Sequence, residues 1–335
     1  ERERVSISNN VLSLRGTQAE DINNFQIYGN TFISSSRWYF TTGIINGPTS
    51  SIYLNGNLER SATQSFNIAG WGGQARIGSR GTTQFPFPGK ISNIQAYNKV
   101  LTQTEINQNY YQAPIVTDGL VFAADAGNLV SFERGSTTTY SLTGSISGSL
   151  VNSTGYTGSN GGSWVFDGID DYISIPDNPA LDFTGSVNLT SEVWIKFNQY
   201  KDISFVNAKG DGGGSVNNYN YFFIGTNTSF YFRFSDGTTS QSSPIITQTN
   251  LPTGSWGHVV GVLDTTAIRL YLNGVEIGTA TTRTINPKAN DSSFLISSPS
   301  YALNGSIAAS RIYNRALTAQ EISQNFNAQK ARFGF

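Results

Sequence analysis

The 335-residue chain contains no cysteine and no methionine, a single histidine, and only 13% charged residues, where an ordinary globular protein carries about a quarter. Without cysteine there is no disulfide framework and no thiolate metal site. With His258 as the sole imidazole, a histidine-ligated zinc centre is excluded as well. No apolar run approaches the roughly 20 residues that a membrane-spanning helix needs. Lys and Arg total 21 against 22 Asp and Glu, and the one charge cluster, Glu1 to Arg4, is of mixed sign. The basic footprint that nucleic acid or an anionic membrane requires is therefore missing, and neither is expected as a partner. Because methionine is absent even at position 1, the natural start of the polypeptide is expected to lie upstream of Glu1.

What the chain has instead is glycine, serine, threonine and asparagine in quantity, together with 13% aromatics. That balance suits a β-rich extracellular or particle-surface protein.

The chain also repeats itself. Tyr53-Leu54-Asn55-Gly56 recurs as Tyr271-Leu272-Asn273-Gly274, and Trp38 recurs as Trp256 at the same separation. Tyr97-Asn98 recurs as Tyr313-Asn314 at a separation two residues shorter. A register held across three anchors marks an internal duplication. In each copy Asn-Gly divides two alternating runs, which predicts a hairpin with a type I′ turn because both central positions need positive φ. A strand is expected next, "SNIQAYN" in one copy and "AASRIYN" in the other. A short helix follows: Thr102 with Glu105, and Thr318 with Glu321, have capping-box spacing. Leu101 with Ile106, and Leu317 with Ile322, stand at hydrophobic-staple positions. The box accounts for both glutamates, so neither is taken as catalytic.

The ordered motifs from Trp256 to Ile322, with "WVFDGIDDYISIP" (Trp164 to Pro176) and "SEVWIKF" (Ser191 to Phe197) upstream, resemble the laminin-G-like, concanavalin A-like jelly-roll family. The segment "DGLVFAADAGNLVSF", Asp118 to Phe132, is similar to an opening that precedes such domains in tailed-phage virion proteins. The resemblance implies an all-β chain of tandem antiparallel jelly-roll β-sandwiches, each closed by a short C-terminal helix. Residues 1–112 match only the later strands, so the first copy is expected to be incomplete, with its complement supplied by upstream residues or by another chain. Residues 113–119 then form a linker and 120–335 a complete second jelly roll.

Chemistry is sparse. Relatives that hydrolyse glycans carry paired carboxylates on one strand face; Glu192 has no acidic partner two or four residues away, and strand alternation predicts that it faces solvent. His258 falls in a strand and is expected to line a sheet face. "GDGGGS" at Gly210 to Ser215 lacks the lysine and helix of a phosphate loop. By resemblance, Ca²⁺ at the rim is the one cofactor to consider, with Asp170 and Asp171 as first ligand candidates beside Asp167, and with Asp211, Asp236 and Asp291 in other loops. For ligand contact the loops offer Trp71, Tyr219 and Asp211. The resulting expectation is a non-enzymatic virion protein of a tailed phage, a tail-fibre, head-fibre or capsid-decoration component. It would lie at the virion surface, bind other virion proteins or host-surface glycans, and act as a homo-oligomer or within a larger assembly. The alternative is a secreted or cell-surface bacterial lectin-like module, or an accessory domain of a polysaccharide-degrading enzyme.

Overall fold

The computed structural model describes residues 4–8, 11–17, 24–35, 37–63, 77–78, 86–210 and 218–335. It divides into two compact units, Glu1–Tyr110 and Tyr111–Phe335.

In the first unit, β1 (Arg4–Ser8), β2 (Val11–Thr17) and β3 (Asn24–Phe32) form one antiparallel sheet, and β4 (Thr41–Asn46), β5 (Thr49–Leu54) and β6 (Asn57–Thr63) form another. Leu12, Leu14 and Ile27 of the first sheet meet Ile52 and Leu54 of the second in a small core. The unit ends in α1 (Gln103–Tyr111), whose buried face is Ile106 and Tyr110.

The second unit holds the remaining strands: β7 (Leu120–Asp125), β8 (Thr138–Tyr140), β9 (Ser147–Val151), β10 (Gly155–Thr157), β11 (Ser163–Asp167), β12 (Tyr172–Ile175), β13 (Leu189–Gln199) and β14 (Ser204–Lys209). These are followed by β15 (Tyr221–Gly225), β16 (Ser229–Ser235), β17 (Ser240–Ser242), β18 (Ile246–Thr247), β19 (Trp256–Leu263), β20 (Ala267–Leu272), β21 (Val275–Glu276), β22 (Thr281–Thr282), β23 (Phe294–Ser297) and β24 (Asn304–Tyr313). One sheet runs β10-β11-β24-β13-β19-β20-β21, with β7 also on β24 and β22 on β20; the other runs β17-β16-β15-β14-β23-β12-β9-β8, with β18 on β16. Both are antiparallel and enclose one apolar core, to which Val193, Ile195, Phe223, Phe232, Ile296 and Ile307 belong. This is the jelly-roll sandwich that the sequence implied.

The helix α2 (Ala319–Gln329) lies on the outer face of the first of these sheets. Thr318 caps it through a complete capping box with Glu321, and Leu317 and Ile322 are buried. The same box forms at Thr102 and Glu105: Thr102 N–H donates to Glu105 Oε2 at 2.9 Å and Glu105 N–H to Thr102 Oγ1 at 3.3 Å. The hairpins agree too. Asn55 and Gly56 have φ of 50° and 80°, Asn273 and Gly274 of 52° and 82°, the positive pair that a type I′ turn needs.

One expectation changes. The strand predicted at "SNIQAYN" does not form: residues 86–100 have no strand assignment and are exposed throughout. Within residues 113–119, Val116 packs with Tyr313 and Ile322, and its carbonyl accepts from the Tyr313 hydroxyl at 3.1 Å.

Candidate functional site

The loop 168–171 leaves β11 in one sheet and enters β12 in the other, so it crosses the end of the sandwich. Its turn is set by Gly168 at φ 82°, where an added Cβ would come within 2.8 Å of Asn304. Asp167 Oδ1 accepts from Ile169 N–H at 2.7 Å, and Asp171 Oδ2 accepts from Asp167 N–H at 3.1 Å. Asn152 Nδ2 donates to the Asp170 carbonyl at 2.9 Å, and Lys201 Nζ donates to the Gly168 carbonyl. The outcome is a short, pinned loop that brings one carboxylate oxygen from each of Asp167, Asp170 and Asp171 within 4.8 Å of one another.

Within this group Asp171 differs from its neighbours. It is 5% exposed, whereas Asp167 and Asp170 face solvent. Its second oxygen, Oδ1, is buried with no hydrogen-bond partner. Burial pushes its carboxyl up, and the charges of Asp167 and Asp170 add to that, while the Asp167 N–H acts against it. A buried carboxylate oxygen without a donor is costly unless it is protonated or meets a cation. An all-oxygen set with one uncompensated member suits a hard divalent ion. At the crest of the loop Ile169 is 75% exposed.

The other candidates lie elsewhere. Tyr219 is 1% exposed, its ring packed on Phe205 and Phe222 at 4.8 and 5.0 Å between centroids; it is not a rim aromatic, because β14 and β15 converge on it. Trp71 and Asp211 fall outside the described residues. Asp236 is consumed by its own turn, accepting from Thr238 and Thr239 N–H at 2.8 and 2.7 Å, and these bonds hold its carboxyl well below the usual range. A wider cleft of about 390 Å³ is lined by Trp256, Phe333, Phe335, Asn250 and Asn273. The indole there is 8% exposed and its Nε1–H donates to Asn160 Oδ1 at 3.1 Å, so it offers no open ring face.

Glu192 corrects the sequence reading most sharply. It is 1% exposed rather than solvent-facing. Val193, Ile195 and Phe197 fill the inner core, so Glu192 and Trp194 point outward, where α2 and the turn after it cover them. There Glu192 pairs with Arg311, its Oε2 accepts from Asn325 Nδ2 at 2.6 Å, and His258 Nε2 lies 3.2 Å from its Oε1. Burial pushes this carboxyl up, but Arg311 and His258 outweigh that and hold it at about 2. A carboxylate sealed beneath a helix and committed to a guanidinium is neither nucleophile nor acid for a bound glycan. The signal available in the sequence was Arg311: a charge inside the apolar strand "AASRIYN" needs a partner across the sheet.

The fold is thus of the lectin type, an antiparallel two-sheet sandwich with connecting loops at its ends. The chain belongs to the concanavalin A-like lectin/glucanases superfamily, whose family profile matches residues 6–107 and 167–323. No curated protein matches the sequence. Among solved structures, the binding domain of Paraclostridial Mosquitocidal Protein 1 is similar at 16% identity and a TM-score of 0.49, covering 62% of this chain and 52% of that one. The receptor binding domain of botulinum neurotoxin D is similar at 12% identity and 0.49, covering 63% and 52%. Trypanosoma rangeli sialidase is similar at 14% identity and 0.49, covering 66% and 34%. The chain thus spans about half the length of the two binding domains, and no functional conclusion attaches to likenesses this remote.

Proposed function

We propose that the chain is a non-enzymatic, surface-exposed carbohydrate-binding protein that uses the acidic loop of its second unit, with Ca²⁺, to hold a glycan. The observation that carries this reading is the unpartnered, buried Asp171 Oδ1 beside the carboxylates of Asp167 and Asp170. Those three residues would hold the ion, and a bound Ca²⁺ would supply open coordination positions for sugar hydroxyls. Ile169 then offers an apolar surface beside them for the face of a sugar ring. The committed state of Glu192 supports binding without hydrolysis.

A glycan array probed in calcium and in EDTA tests this. The reading predicts retention that EDTA removes and that Asp171→Asn removes in calcium. Silence across the array, or retention indifferent to both, would overturn it.

We further infer a place at the surface of a tailed-phage particle, on the similarity of Asp118 to Phe132 to openings found in such proteins. That segment also has a structural role here: Asp125 accepts from Arg332 Nη1 at 2.8 and 2.9 Å, tying β7 to the C-terminal turn. Peptides of this chain in the mass spectrum of purified particles are expected. Their recovery only from the medium of uninfected cells would contradict the assignment.

A further inference from the structure

The two copies allow one region to be compared with itself. In the second unit β24 is central, paired with β13 on one side and with β11 and β7 on the other. Ile307 and Tyr313 on it are fully buried. Their counterparts in the first unit, Ile91 and Tyr97, are 46% and 45% exposed, and Ile94 between them is 54% exposed.

This segment is nevertheless held where β24 is held. Asn109 Nδ2 donates to the Tyr97 hydroxyl at 3.0 Å, as Asn325 Nδ2 does to Tyr313 at 3.0 Å. Lys99 pairs with Glu105 as Arg315 pairs with Glu321. The hairpin is placed alike as well: Phe40 N–H donates to Asn55 Oδ1 at 2.9 Å and packs on Tyr110 at 5.8 Å, as His258 N–H donates to Asn273 Oδ1 at 2.9 Å and packs on Phe326 at 6.0 Å. The helix, the hairpin and the last segment are in place. Among the described residues there is no counterpart of the strand that sits between β19 and β24 in the second unit, β13. Its counterpart would lie between β4, which pairs only with β5 among the described residues, and Gly89–Tyr97.

We infer that Gly89–Tyr97 and the free edge of β4 are the seat of a strand equivalent to β13, supplied by the same polypeptide ahead of Arg4. In the second unit β13, β11 and β7 all precede β15 and β16 in one chain, and β1 and β2 repeat the β15–β16 hairpin, so the duplication assigns the covering strands to the preceding stretch. Exposed apolar groups beside unpaired strand edges have a strong tendency to add a strand.

The seat also specifies its occupant. Arg311, which neutralises Glu192, and His258, whose Nε2 lies 3.2 Å from its Oε1, are replaced in the first unit by Gln95 and Phe40. A carboxylate at the Glu192 position would be buried there without a counter-charge. The inserted strand therefore alternates apolar residues as β13 does and is uncharged at that one position.

Amide hydrogen exchange compared between residues 1–335 and the natural polypeptide that includes the stretch ahead of Arg4 tests this. Ile91 to Tyr97 and Thr41 to Asn46 are expected to exchange roughly 100-fold or more slowly in the longer polypeptide. Ile91→Asp should abolish that protection while leaving melting of the shorter chain unchanged. Equal exchange in both, a natural polypeptide with no strand-forming stretch ahead of Arg4, or a glutamate at the Glu192 position would overturn the inference. Protection that appears in the shorter chain as its concentration rises would assign the seat to a second copy and overturn the same-polypeptide source.

Discussion

Glu192 and Arg311 stand opposite each other on neighbouring strands, β13 and β24, and close an ion pair in which they are 1% and 3% exposed. The pair lies beneath α2, where Asn325 and Gln329 complete it: Arg311 Nη2 donates to Gln329 Oε1 at 2.7 Å. It fixes the helix on the outer face of the sheet through polar contacts that only one placement satisfies.

Removing one partner leaves the other charge buried and alone. Arg311→Met is expected to cost about 3–5 kcal/mol, and Glu192→Leu combined with Arg311→Met to recover most of that loss. Urea denaturation at constant slope measures both variants. A double variant worse than the single one would mean that the pair contributes more than charge neutralisation.

Acid should unfold the chain through the same group. Glu192 and Glu321 titrate at about 2, below their ordinary 4.5, Glu192 through Arg311 and His258 and Glu321 chiefly through Arg315. A depressed carboxylate contributes stability that is present above its unfolded value and is lost as pH falls through the folded one. Stability should therefore decline between about 4.5 and 2, and Glu192→Gln should flatten that decline. A profile identical in wild type and variant would place the acid sensitivity elsewhere.

The helix cap offers a smaller, local test. Thr318 Oγ1 accepts from Glu321 N–H at 3.3 Å, and Thr318→Ala is expected to lower stability by about 1 kcal/mol. Thermal melting of this variant, with Thr318→Asn keeping most of the wild-type stability because its side-chain oxygen can also cap, checks that the oxygen is the cause.

Asp171 carries the opposite sign to Glu192. Its carboxyl is raised by burial and by Asp167 and Asp170, so its charged form opposes folding at neutral pH, and protonation relieves that as pH falls. In EDTA, Asp171→Asn should be as stable as wild type or more so; in calcium, wild type should gain melting temperature and the variant should not. A variant destabilised in EDTA would show that Oδ1, like Oδ2, has a donor and that the carboxylate is structural.

The architecture was largely legible, and the reasons are local. Asn-Gly at 55–56 and 273–274 forces its turn by backbone sterics alone, and Thr-x-x-Glu writes a helix start within four residues. Glu192 was misread because alternation describes a strand with one wet face, while α2 covers the second face of β13, and that cover is set by residues over a hundred positions away. The failure of "SNIQAYN" to form a strand has the same root: it ends in the same Tyr-Asn as "AASRIYN", but a central strand exists only with neighbours. Asp170 and Asp171 could be named from the loop, whereas the burial that separates Asp171 from its neighbours depends on packing between β11 and β12. Tyr219 follows a loop in sequence, and the Phe205 and Phe222 rings that enclose it are not contiguous with it.

Calorimetric titration of the intact chain with Ca²⁺, alongside Asp171→Asn, tests the central claim most directly. The account predicts saturable heat in wild type that the variant loses while keeping its fold by circular dichroism. Absence of binding in wild type, or equal binding in both, would contradict a cation held by Asp167, Asp170 and Asp171.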